Sequence, residues 1–140
     1  MADGTVAPVP EGTPPFRSLE LHDFVLRALT KKKWLETPQG FEEAFIRKLH
    51  EDGLSVCFDC HPEQCRDIVD LSPVYGVAEL SVRGVTSLTL TLRTDGPNHA
   101  EILGVPAIEE DRRHAEWLAS KLAEIATIVD RTKRLRPPAP

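Results

Sequence analysis

The chain has 140 residues, 41% of them hydrophobic and 28% charged, with a formal net charge of −5. These values suit one globular domain with a core of its own. They argue against a nucleic-acid footprint spread over the whole surface. No stretch approaches the roughly 18 consecutive apolar residues of a membrane helix, so no membrane partner is expected. The first residues lack the basic start and apolar run of a signal peptide, and three cysteines are an odd number. Reduced thiols in a cytoplasm are therefore expected, rather than a disulfide framework.

In chain order, residues 1–17 come first, with Pro8, Pro10, Pro14 and Pro15 favouring extended, solvated backbone. Together with residues 136–140, "RPPAP", they are expected to be disordered tails around a single domain over 18–135. Ser18 is placed to cap a first helix whose apolar positions are Leu21, Phe24, Val25, Ala28 and Leu29. Thr37 then caps a second, with Pro38 at its first position, a stripe of Phe41, Phe45 and Leu49, and Gly53 to end it.

Beyond Gly53 the apolar period becomes two. Leu54, Val56 and Phe58 alternate with Ser55, Cys57 and Asp59. "GVAELSVR" and "SLTLTLRT" read as further strands joined by a hairpin at "RGVT". "TDGPN" is a turn, and "HAEIL" a short edge strand. A long helix from Glu109 to Leu135 closes the chain, with Leu118, Leu122, Ile125 and Val129 as its core stripe. The expected class is α+β: a small, mainly antiparallel sheet of three to four strands packed under helices, with a long C-terminal helix.

"DGLSV" (52–56), "YGVA" (75–78) and "HAEILGVP" (99–106) together resemble a pattern recurring in short bacterial proteins of unassigned function. The resemblance covers about residues 41–125 and implies a bacterial, cytoplasmic protein, with no site residues. It also implies extended backbone before "DGLSV", where helical spacing suggests a helix reaching towards His50.

Three groups of residues carry candidate chemistry. "SVCFDCHPEQC" holds Cys57, Cys60, His61 and Cys65. Cys57-x-x-Cys60 has zinc-knuckle spacing, but the second distant ligand pair of a zinc site is missing. Pro62 suits the first turn of a short helix, which makes Cys65 a core residue and Cys57 a strand residue that need not meet it. Structural roles are favoured over zinc, no cofactor is expected, and Cys60 near a helix start is a further candidate thiol.

The polar positions of the strands gather Glu79, Arg83 and His99 as candidate acid, base and cation; the simpler alternative is the solvated face of a half-buried sheet. No Walker loop, dinucleotide glycine fingerprint, nucleophile elbow or metalloprotease helix is present.

The third group is Trp117 and Ile128 at the edge of the last helix, followed by the basic residues Arg131, Lys133 and Arg134. Residues 18–130 hold 12 Lys and Arg against 20 Asp and Glu, so the basic end suits an acidic partner or a second copy. A non-enzymatic interaction protein, working through its C-terminal helix, is the favoured expectation. The alternatives are a small metal-free enzyme acting on a nucleotide or RNA through the polar sheet face, and a zinc-supported binding module.

Overall fold

The computed structural model describes residues 16–62, 64–65 and 74–131. Most of both expected tails, including Lys133 and Arg134, lies outside them. The sheet is larger than expected. Among the described residues six antiparallel strands replace the expected three to four: β1 (Phe24–Leu29), β2 (Leu54–Cys57), β3 (Gly76–Ser81), β4 (Thr91–Thr94), β5 (His99–Leu103) and β6 (Thr127–Arg131). Their order across the sheet is β4-β5-β2-β1-β3-β6. Three α-helices lie among the described residues: α1 (Pro38–Glu43), α2 (Val82–Thr86) and α3 (Arg112–Ile125); only α3 is long. The class remains α+β.

The two extra strands come from segments expected to be helical. β1 replaces the helix expected after Ser18. It is a central strand covered on both faces, so it reads as the nearly continuous apolar run "FVLRAL". Val25 and Leu29 enter the main core, while Leu26 joins a second cluster on the opposite face.

The last helix stops at Ile125 instead of reaching Leu135. Thr127, Ile128 and Val129 are consecutive β-branched residues that fit a pleated strand better than a helix. They form β6 against β3, with Ala78 opposite Ile128. Val129, expected in the helical core stripe, is 40% exposed.

Other elements differ in extent. Thr37 caps α1 as expected, accepting from the Gly40 N–H, but the helix lasts only six residues. Phe45 is buried and Leu49 exposed, which breaks the expected stripe. Arg47 then makes a parallel bridge to Ala107.

The hairpin expected at "RGVT" is replaced by α2. Ser81 Oγ caps it by accepting from the Gly84 N–H, and Val82 and Val85 bury its inner side. β3 and β4 are consequently not neighbours. β5 lies between β4 and β2, so it is not an edge strand.

The main core lies between the sheet and the helices. Val56, Ala78, Leu80, Ala100 and Ile102 meet Leu118, Ala119 and Leu122 of α3 and Phe45 beyond α1. On the other face, Leu26, Cys57 and Val77 are covered by Cys65 and Val74. No helix among the described residues is long and apolar enough to cross a membrane.

Candidate functional site

β1 and β2 pair at a single position, Leu26 opposite Cys57. Towards Leu29 and Leu54 the ladder is open, and the side chain of Arg27 enters the gap. Arg27 Nε donates to the Ala44 carbonyl at 2.6 Å and Nη1 to the Ser55 carbonyl at 2.7 Å. The guanidinium thus satisfies backbone that the missing ladder leaves free.

Both acceptors are neutral, and among the described residues Arg27 forms no ion pair. Burial pushes its pKa down to about 10, against the opposing pull of Glu51 and Cys65. It remains a cation at neutral pH.

A pocket of about 560 Å³ opens over this guanidinium. Trp34 and Ile46 give it apolar wall, and Lys31 and Lys48 add cations. Glu43 and Glu51 are its carboxylates, but Glu43 already pairs with Lys33 at 3.1 Å. The Lys31 ammonium lies 6.0 Å from the centre of the Trp34 ring. The Trp34 indole N–H is buried without a hydrogen-bond partner among the described residues. Such an orphaned donor costs about 1–3 kcal/mol and is uncommon in native structures.

Ser55, Cys57 and His99 line the pocket at the β2–β5 end. Cys57 stands directly opposite His99 in the ladder. His99 Nδ1 is hydrogen-bonded to Asp95 Oδ1, so Nε2 is the ring nitrogen that does not face this carboxylate. The Cys57 thiol is held below its ordinary range, chiefly by the Cys65 thiol beside it and less by His99, while burial opposes the shift. Cys65 is pushed well up by Cys57 and by burial. Cys60, partly buried, is raised by burial and by its two acidic neighbours, Cys57 and Asp59.

The candidates read from sequence are only partly brought together. His99 lies in the pocket, but Glu79 and Arg83 do not. His99, Cys57, Leu26 and Glu79 form one transverse row over β5, β2, β1 and β3. At ~4.8 Å per strand, His99 and Glu79 are about 14 Å apart, too far for shared acid–base chemistry. Arg83 is on α2 and exposed.

Cys57 and Cys65, which need not have met, do meet in the second cluster, with Cys60 packed against it. All three are free thiols. His61 is exposed. Among the described residues no group of three or more His, Cys, Asp or Glu is arranged to hold a metal ion.

Trp117 is 50% exposed on α3, with Lys121 Nζ 5.7 Å from its ring centre. Ile128 cannot share that helical surface: it lies on β6 and packs against the main core. Arg131 ends β6, opposite Gly76. Sequence reasoning missed Arg27, although an arginine inside an apolar six-residue run is a visible signal.

Compared with protein-family models, curated proteins and solved structures, the chain matches none.

Proposed function

We propose that the protein binds a small anionic ligand with an apolar or aromatic part in the pocket between β1 and β2. The observation that carries this reading is Arg27, a half-buried guanidinium set into the sheet whose hydrogen-bond partners among the described residues are two carbonyls and no carboxylate. Glu51 lines the same pocket and attracts this charge without bonding to it, and a partly buried guanidinium is normally paired more directly. Arg27 has five N–H donors and spends two on backbone. The others suit the oxygens of a carboxylate or phosphate. Trp34 and Ile46 supply apolar surface for the rest of the ligand, and the volume is that of a small-molecule site.

The test is a fluorescence titration of Trp34 in a Trp117→Phe background, using nucleoside monophosphates and aromatic carboxylates as probes. At least one probe class should bind, and Arg27→Met should weaken it by at least about tenfold. Binding by Arg27→Met equal to that of the parent, with circular dichroism unchanged, would sink the reading.

The exposed Trp117 favours a second reading, a protein partner or a second copy docked on α3. If no probe binds, and Trp117→Ala shifts the elution of the parent in sizing chromatography, that reading replaces the first.

A further inference from the structure

We propose that Cys57 and Cys65 are a peroxide-reactive thiol pair, in which Cys57 is oxidised from the pocket and Cys65 captures it as a disulfide. Both side chains belong to the cluster formed with Leu26, Val74 and Val77, and the two thiols are near enough for each to shift the other's pKa. Their environments differ. Cys57 is only 4% exposed but lines the pocket, which gives a small oxidant a route to it. Cys65 is fully buried and is not among the pocket residues.

Cys57 also has the conditions that favour thiolate. The Cys65 S–H beside it stabilises a negative sulfur, and His99 faces it across the β2–β5 ladder. Directly opposed residues have Cβ atoms about 5 Å apart, within reach of a sulfur and an imidazole. Asp95 on Nδ1 fixes the His99 tautomer, so Nε2 is the acceptor.

The chemistry balances with hydrogen peroxide as the oxidant. His99 takes the Cys57 proton, and the sulfur attacks one peroxide oxygen. The O–O bond breaks, an S–O bond forms, and the second oxygen leaves as water with the proton from His99. Cys65 sulfur then attacks Cys57 sulfur; the S–S bond forms and the S–O bond breaks. Hydroxide leaves and takes the Cys65 proton as water. Two thiols are oxidised to one disulfide, and both peroxide oxygens are reduced to water.

The experiment uses the full chain, without ligand. The protein is treated with hydrogen peroxide, remaining thiols are blocked with N-ethylmaleimide, and peptides are mapped by mass spectrometry. A Cys57–Cys65 cross-link with alkylated Cys60 is expected, and Cys60→Ser should give the same cross-link. Cys65→Ser should stop at a Cys57 sulfenic acid trapped by dimedone, and Cys57→Ser should leave Cys65 reduced. His99→Asn, checked for fold by circular dichroism, should slow the reaction at pH 7 by at least about tenfold.

A Cys57–Cys60 cross-link, oxidation confined to Cys60, or no oxidation of the folded protein would overturn the pair. An unchanged rate in His99→Asn would overturn the role given to His99. Because no ligand is used, failure here is distinguishable from failure of the anion-binding reading, and the reverse also holds.

Discussion

Arg47 allows a stability prediction to be worked from individual bonds. It is 8% exposed. Nε donates to the buried Val105 carbonyl at 2.6 Å, Nη1 to the Glu51 carbonyl, and Nη2 to Glu110. The side chain thereby ties the segment after α1 to the segment that leads into α3. Arg47→Met keeps much of the apolar stem and removes every donor.

Hydrogen bonds from a charged donor contribute about 1.5–3 kcal/mol each, and a buried acceptor left alone retains its desolvation cost. Val105 carries that cost fully and Glu51 in part. Glu110 carries little, because its side chain is 50% exposed and still accepts from the Ala107 N–H. The expected loss is roughly 2–4 kcal/mol. Glu110→Gln should cost much less than Arg47→Met, because it removes charge and leaves both carbonyl bonds. Urea unfolding at neutral pH, with the two variants and the double variant, measures both. A loss under ~0.5 kcal/mol in Arg47→Met, or an equal loss in Glu110→Gln, would refute the assignment of the energy to the buried carbonyls.

Two further outcomes follow from other parts of the fold. Arg17 bonds both Asp23 and Asp59 and lies 5.2 Å from the centre of the Phe58 ring. It holds Asp23 down to about 2, aided by the Glu20 N–H, and lowers Asp59. Depressed carboxylates contribute stability above their unfolded values, about 4, and lose it as pH falls through the folded ones. The stability gap between parent and Arg17→Met should therefore be constant from pH 7 to about 5 and shrink towards pH 2.5; a gap that does not shrink would contradict the pairing. Gly40→Ala should destabilise by about 1–3 kcal/mol, although alanine is the better helix former, because its Cβ would stand 2.1 Å from the Lys33 carbonyl oxygen. Gly96→Ala, with its nearest contact at 3.4 Å, is the control expected to stay near neutral in the same thermal melts.

Local chemistry in the sequence locates several features correctly. Thr37 and Pro38 do start a helix, because the cap and the missing N–H act within one turn. β2 and β5 lie where alternation puts them, each with one side in the main core. Period fails where burial is two-sided or where a segment changes type. β1 has neighbours on both edges and cover on both faces, so its apolar residues show no clean alternation and mimic a helix stripe. "SLTLTLRT" alternates throughout, and Leu88, Leu90 and Leu92 all reach the core, but Thr89 adopts φ 66° and the strand begins only at Thr91. A strict alternation in side-chain direction thus coexists with a turn. The end of α3 is the opposite case: its stripe continues through Val129, but the β-branched run "TIV" and the unpaired edge of β3 favour a strand.

The candidate site eluded sequence reasoning for a related reason. Its residues come from β1, the 3-10 helix Lys32–Leu35, the segment after α1, β2 and β5, and no two of these segments are joined by a motif. What joins them is a defect in the sheet, the gap beyond Leu26 and Cys57, and a gap has no period. Arg27 is the one trace it leaves in the sequence. A charged residue at the fourth position of "FVLRAL" conflicts with a central strand, where burying a cation is costly. The conflict disappears if the strand is allowed to part from its neighbour, because the guanidinium then replaces the lost ladder bonds. The same opening puts Cys57, itself buried, on the pocket wall. One arginine in an apolar run therefore marks the opening that forms the cationic pocket and brings its wall to Cys57.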